Sequence, residues 1–558
     1  CDALESIEFP EGTVALGNSV FAGCEALKIV KIPASMQRLG DWLETTGTDG
    51  NKTYTFQSLS LFKYQEEGLY GYDYAENLEK IEVAEGNERY GSKDGILYGK
   101  YKDENNETTK TNDLVRLYFC PSKVLLTDGT VTLPNTVQEI YTEAFLDNQT
   151  VTKIKFETVS GGTAAASITF GTDAFKGADG LTEFALPSGM TTVKKGMFKG
   201  CRNLTKIVIP NTVTSIQAGA FEGCSALAAI EFEEGNDETA LTLEDGIKEE
   251  KRTSYGAPQI TYTGVFTGLS KLTTITLPKR LSSIGRYAFA KSSRFTTVDF
   301  GENSKVQTIA DEAFANSGLT TIKLGKDVIA AEDGSYTYAL PEGLKKIGEA
   351  AFYTVKFPKK ITINIPASVT DYGEVTSGKA CKYAVFYSRS SQMKIVFADN
   401  NKLKTVHANA FKASQVIEVN FGANSQLEKI GNDAFNACSA LTAISIPATV
   451  KTIETQAFNN SRKLSAITFE TFADGENSGK CSIETIGTKA FANTALTGFT
   501  FPETIATYVF ANNGNKGLYA ELFYGCKFTT RPVFPANITT QDQEAILRGC
   551  TIESDASD

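Results

Sequence analysis

Only one histidine, His407, and one tryptophan, Trp42, occur in 558 residues. Histidine is the usual general base and the commonest metal ligand, so its near absence leaves no Ser-His-Asp arrangement to build. His407 lies in TVHANAF, where a related phrase, TIGTKAF (485–491), carries Gly; it is read as structural. No Cys-x-x-Cys pair occurs among the 10 cysteines, which leaves zinc without its usual ligand spacing. There is no Lys/Arg run, and the net charge is -11. Nucleic acid is therefore excluded as a partner, as is polybasic attachment to a membrane. No apolar run approaches the ~18 residues of a spanning helix, so direct membrane insertion is not expected of this segment. No export signal opens the sequence, and any signal or anchor is expected outside it.

What is abundant is aromatic and repetitive. Hydrophobic residues make up 41% of the chain, with 35 Phe, too much for a disordered polymer. The phrase LTKIVIPNTVTSIQAGAFEGC (204–224) recurs, intact or worn, throughout. Its anchors are Phe21, Phe62, Phe145, Phe175, Phe198, Phe221, Phe266, Phe289, Phe314, Phe352, Phe386, Phe411, Phe435, Phe458, Phe491 and Phe523, with Leu547 in the same place in ILRGC. The tightest spacing is 23 residues, as from Phe175 to Phe198 and from Phe435 to Phe458. A period in the low twenties belongs to leucine-rich repeats.

Each unit divides into three parts. L-x-x-I-x-I-P reads as a short strand in which Ile207 and Ile209 face one way and Val208 the other. Pro210 ends its ladder. NTVTSI turns the chain and brings Val213 and Ile216 inward. QAGAFEGC then reads as a helical or 3-10 turn that drives Phe221 into the core. One unit cannot bury this set alone, whereas stacked units can. The reading is an α/β repeat, a right-handed solenoid of short parallel strands, forming one domain over 1–558 with about 17 units.

The phrases FEGCSALAAIEF (221–232), FKGCRNLTKIVIPNTVTSIQAGAF (198–221) and FNACSALTAISIPATVKTIETQAF (435–458) resemble the BspA-like, or treponemal-type, leucine-rich repeat family. So does the insertion VAEGNERYGSKDGILYGK (83–100). The resemblance covers nearly the whole chain. It implies a secreted or surface-displayed protein, mostly bacterial, that acts in adhesion or in binding host and matrix proteins. The family supplies no catalytic residues and no cofactor.

Seven cysteines share one repeat position. Cys24, Cys201, Cys224, Cys438 and Cys526 lie three residues after an anchor Phe, and Cys550 three after Leu547. Cys1 fits the same register, so the sequence is expected to begin within a repeat. The position reads as a column of small buried apolar side chains. The alternative is disulfides between adjacent coils: Cys1–Cys24, Cys201–Cys224 and Cys526–Cys550.

Longer gaps mark insertions at roughly 41–60, 87–130, 235–262, 327–341, 371–383, 471–482 and 506–520, expected along one rim. In 87–130, Ile96 to Tyr101 and Leu114 to Phe119 read as a hairpin. DGENSGK (474–480) has oxygen ligands but not the spacing of a calcium loop. The outward strand positions mix Glu8, Lys31, Glu82 and Lys155 early in the chain. They become small and polar late, at Asn420, Ser445, Thr468 and Thr500.

Catalytic and metal sites are therefore not expected. The candidate ligand-binding residues are the rim aromatics Trp42, Tyr98, Tyr101, Tyr255, Tyr262, Tyr336 and Tyr338, since aromatics are enriched at interfaces; the other reading of them is packing back onto the solenoid. The expected partner is a protein or extracellular-matrix ligand, bound without enzymatic activity at the cell surface. The alternatives are a glycan-binding module, which needs aromatics lining one pocket, and a passive spacer that projects another domain.

Overall fold

A computed structural model describes residues 3–553 except 47–51, 65–72, 158–167, 236–237, 252–258, 374–382, 389, 503–510, 513–514, 517–520 and 537. The chain forms two compact units, Cys1–Asn236 with Gly268–Leu272, and Asp237–Thr267 with Thr273–Asp558.

In both units the first strand of each coil pairs in parallel with the same strand of the next. Ser6–Glu8, Ile29–Ile32 and Lys80–Val83 form one ladder of the first unit, and Glu183–Ala185, Lys206–Ile209 and Ala229–Phe232 another. The register is the one the repeat dictates: Glu8 lies opposite Lys31, Lys31 opposite Glu82, and Val208 opposite Glu231. In the second unit, nine short strands from Leu241–Leu243 to Thr485–Ile486 form a second parallel ladder. It is built from the V-x-x-I segments of successive coils, with pairs such as Ile430 opposite Ile453. Alternate strand residues face inward, and Ile207, Ile209, Val213 and Ile216 are all fully buried.

The anchor turns are not helical. Helical conformation among the described residues is confined to the α-helix Thr540–Ile546, the 3-10 turn Glu107–Thr109 and Glu553, none of them at a Phe anchor. The turn around Phe435 shows why. Asp433 (φ 55) and Ala437 (φ 59), two residues before and two after the Phe, both adopt left-handed backbone, which a right-handed helix does not admit. The pattern repeats at Asn409 and Ala413, Gln456 and Asn460, and Gly219 and Gly223.

These left-handed residues give every amide in the turn a partner. The N–H groups of Ala434, Asn436 and Cys438 donate within the coil, to the carbonyls of Gly431, Asp433 and Phe435. Those of Asp433, Phe435 and Ala437 donate to the next coil, to Thr455, Ala457 and Asn459 at 3.1, 2.6 and 2.8 Å. Successive amides thus alternate between holding a coil together and joining it to its neighbour. Buried backbone groups need such partners.

All sixteen anchor Phe and Leu547 are buried. Coils joined by backbone hydrogen bonds repeat at about 4.8 Å, so equivalent rings stack. Centroids lie 4.7 Å apart for Phe411–Phe435 and 5.0 Å for Phe435–Phe458, with ring planes within 8°. Phe119, expected only as a hairpin residue, also joins the column by stacking on Phe62 at 4.6 Å. Tyr372, expected in an insertion, is fully buried and stacks on Phe411 at 5.1 Å.

The cysteine column has a different role from the apolar one expected. Five of its thiols donate to the carbonyl of the preceding coil's anchor: Cys201 to Phe175 (2.9 Å), Cys224 to Phe198 (3.0 Å), Cys438 to Phe411 (3.0 Å), Cys526 to Phe491 (3.2 Å) and Cys550 to Phe523 (3.1 Å). Hydroxyls at the same position do the same, Ser292 to Phe266 (2.9 Å) and Ser461 to Phe435 (2.7 Å). Where the position holds Cys or Ser it adds a bond between coils, while Ala178, Leu269 and Val355 fill it with apolar bulk alone. The disulfide alternative does not hold for Cys201, Cys224, Cys526 and Cys550, which are free, as is Cys24. Cys1 lies outside the described residues.

Insertions leave the coils as hairpins. Asp41–Thr46 pairs antiparallel with Lys52–Ser58, and Ile247–Lys251 with Gln259–Thr263. The expected hairpin in 87–130 is present, with Ile96–Gly99 antiparallel to Arg116–Phe119 and Tyr90–Lys93 added as a third strand.

Two outcomes follow. Phe435→Ala opens the stack on both faces and costs about 3–5 kcal/mol, measured as a shift in urea midpoint at constant slope. Cys438→Ser retains the bond to Phe411 and leaves stability within about 0.5 kcal/mol of wild type, whereas Cys438→Ala loses about 1 kcal/mol. Burial pushes the Cys438 thiol up to about 12, so it carries almost no thiolate at neutral pH. A disulfide reagent therefore titrates it only after denaturant is added.

Candidate binding surface

The seven rim aromatics do not share one environment. Tyr98 and Tyr101 are buried in the 87–130 insertion, and Tyr338 is buried beneath the strand face. These three offer no surface to a ligand, and each has a physical reason to turn inward. Tyr338 belongs to Tyr336–Ala339, a ladder strand and not an insertion, and lies opposite Ile363 at an inward position. Its hydroxyl donates to the Thr320 carbonyl at 2.8 Å, and its ring packs on Phe357. Tyr336 is half-buried and stacks on Tyr338.

Tyr101 and Trp42 flank a buried cation. The Arg89 guanidinium lies 4.5 Å from the Tyr101 ring and 5.2 Å from that of Trp42, contacts that strengthen on desolvation. Arg89 Nη1 donates to Glu104 Oε2 at 2.8 Å, and the Tyr118 hydroxyl donates to the other Glu104 oxygen. Burial pushes the Glu104 carboxyl above its usual range, opposed by Tyr118, Arg89 and Arg116. Trp42 Nε1 donates to the Leu39 carbonyl at 3.0 Å, and its ring meets Phe56 edge-on. This is a satisfied polar core that fastens the 41–58 hairpin to the 87–120 insertion.

In the second unit, Tyr262 sits between Lys248 and Lys291, whose amines lie 5.3 and 4.7 Å from its ring centre. Lys248 also pairs with Glu312 at 3.1 Å, which seats the 247–263 hairpin on the turns. Tyr255 lies outside the described residues. A further aromatic group, part exposed and outside the seven, is Tyr353, Tyr383 and Tyr387. Tyr353 stacks on Tyr387 at 5.0 Å and meets Tyr383 at 4.8 Å, with Tyr383 43% exposed. The signal was present as AFY (351–353) and VFY (385–387), one residue past two anchors.

The strand face is charged and locally paired. Lys31 bonds Glu8 at 3.0 Å, Lys28 bonds Glu5 at 3.1 Å, and Lys80 bonds Glu82 at 2.5 Å. Glu8, Lys31, Lys80 and Glu82 border a cleft of about 1270 Å³ in the first unit, which Leu125 and Asp128 also line. Leu125 is 72% exposed. In the second unit a cleft of about 840 Å³ lies beside Ala466–Phe469. His407 is half-buried in the turn before Phe411. Among the described residues no group of His, Cys, Asp and Glu is placed to hold a metal ion, and no helix is long and apolar enough to cross a membrane.

Parallel ladders of short strands, with one buried aromatic anchor per coil, make this a leucine-rich-repeat protein. Within that class the chain belongs to the BspA type leucine rich repeat family, whose region matches in 6 copies over residues 1–92, 126–239, 259–376 and 379–516. Comparison with curated proteins finds no match. Among solved structures, a leucine-rich repeat protein from Bacteroides ovatus ATCC 8483 is similar at 18% identity over 74% of this chain and 92% of that one, with TM-score 0.43. A leucine rich cell surface protein from Faecalibacterium prausnitzii A2-165 is similar at 19% identity over 77% and 93%, with TM-score 0.30. The pneumococcal vaccine antigen PcpA is similar at 15% identity over 98% and 85%, with TM-score 0.26.

The polar core in the insertion gives a direct expectation. Glu104→Ala leaves Arg89 buried without its counter-ion and costs about 3–5 kcal/mol. Exposed pairs behave differently, and Glu8→Ala changes stability by less than about 1 kcal/mol. Both are read from thermal and urea unfolding.

Proposed function

We propose that this chain is a non-enzymatic binding protein displayed at the bacterial cell surface, where it acts in adhesion by engaging a protein or matrix ligand. The array is taken as right-handed and as one domain over 1–558 with about 17 units, since crossovers between parallel strands are right-handed in nearly all proteins. The observation that carries the binding reading is the first unit's strand-face cleft, which exposed Leu125 lines together with the paired Glu8, Lys31, Lys80 and Glu82. A partner that covers Leu125 gains apolar burial, and the charged surroundings set its orientation.

The partly exposed aromatics Trp42, Tyr262 and Tyr336 remain candidates for contact at the rim, together with Tyr255. Their rings already stack on other groups of this chain, so they are edges to a binding surface and not its centre. Tyr98, Tyr101 and Tyr338 are withdrawn from it.

The test is capture of beads coated with this chain by epithelial monolayers. Capture is expected to be lost when the monolayer is treated with protease and to fall about tenfold with Leu125→Asp, which corresponds to ~1.4 kcal/mol. Capture that survives protease and disappears with glycosidase supports the glycan alternative. No capture of either kind supports the spacer reading and overturns the proposal.

A further inference from the structure

The second unit's cleft has a feature that the first unit's lacks. Strand Ala466–Phe469 pairs in parallel with Ala443–Ile446 on one side. The amides of Ala466 and Glu470 donate back to Thr442 and Ile446 at 3.3 and 2.9 Å. In a parallel strand the intervening residues, here Ile467 and Phe469, turn their N–H and C=O groups to the other side. There the chain is again extended, and Thr500 bridges Val533 in parallel. The last bond across the gap is Ala495 N–H to the Leu464 carbonyl at 2.9 Å. Beyond it, among the described residues, no backbone hydrogen bond joins 465–469 to 497–501. The cleft of about 840 Å³ occupies this break.

The equivalent edge in the first unit is closed by the chain itself. Ile81 N–H donates to the Gly95 carbonyl at 2.9 Å, and Val83 N–H to Ser92 Oγ at 3.0 Å. The two clefts also differ in charge. The first is bordered by Glu8, Glu11, Glu79, Glu82, Asp94 and Asp128 against Lys31 and Lys80. The second carries Lys480 and Arg531 and has no carboxylate among the described residues that line it. Its remaining polar groups are mostly hydroxyls, including Thr468 and Thr500. In a chain of net charge -11, this is a local site for negative charge.

We propose that the open edge of Ala466–Phe469 takes up an extended acidic peptide segment of a protein partner as an added β-strand. Its backbone bonds the free N–H and C=O groups of Ile467 and Phe469, and its carboxylates face Lys480. Strand addition draws affinity from main-chain hydrogen bonds and specificity from alternate side chains, so a segment alternating acidic and β-branched residues fits the pleat. The proposal deepens the binding role given above but uses a different unit and a different cleft, so each fails separately.

The test measures binding of a labelled peptide, acetyl-Glu-Val-Glu-Val-Glu-Val-amide, to the full chain by fluorescence anisotropy. Saturable binding that weakens with added salt is expected. The peptide N-methylated at alternate residues loses its edge bonds and is expected to bind at least tenfold more weakly, as is the wild-type peptide to Lys480→Glu. Leu125→Asp, in the other unit, is expected to leave this binding unchanged while it reduces bead capture. Equal binding of a Lys-Val peptide, indifference to N-methylation, or no binding overturns the proposal. Circular dichroism melts of Lys480→Glu confirm that a loss is not unfolding, since the side chain is exposed.

Discussion

The structure depends on how the backbone is satisfied in a stretch that is neither helix nor strand. Two left-handed residues flank most anchor aromatics, from Phe21 to Phe523, and they turn successive amides alternately inward to their own coil and outward to the next. Each Phe is thereby fixed above the equivalent Phe one coil away. The aromatic column, the donor column three residues later and the register of the strand ladders all follow from that placement. Left-handed backbone is disfavoured for side chains other than Gly, Asn and Asp, and the conformational cost is accepted at Ala413, Ala437 and Thr354 as well. Stacked burial of the rings offsets it.

The periodic part of this architecture was legible in the sequence because its determinants are local. Phe spacing identifies each buried anchor, and the repeat register places Glu8, Lys31 and Glu82 at equivalent positions, which pair in the ladder. Three things were not legible. Left-handed φ values have no residue signature here, since Gly, Asn, Asp, Glu, Gln, Lys and Ala all occupy the positions, and so the turns read as helical. The cysteine column read as apolar because the acceptor it serves lies on another coil. Inward and outward aromatics of the insertions could not be separated, because Tyr98, Tyr101 and Tyr338 are distinguished from Tyr336 and Trp42 by partners distant in sequence.

Those insertions show how a repeat array gains individuality without disturbing its core. The 41–58 hairpin and the 87–120 insertion share Arg89, Glu104 and a ring of aromatics, so they form a second, polar core beside the first. Such a core is sensitive to single changes, since removing either charge strands the other. The coils beneath have no such dependence. The break beside Ala466–Phe469 is individuality of the opposite kind, a place where the array leaves its own edge unfilled.

The donor column has a consequence for the surroundings in which the chain can work. Cysteine usage ordinarily reports the redox compartment of a protein, because thiols are paired where conditions oxidise and free where they reduce. Here sulfur and oxygen share one position, and both bond a carbonyl of the preceding coil. Cys24, Cys201, Cys224, Cys438 and Cys526 are buried, unpaired and replaceable by Ser in neighbouring coils. Among the described residues the thiols of this column form no disulfide, so the coils they join need no oxidant to complete their fold.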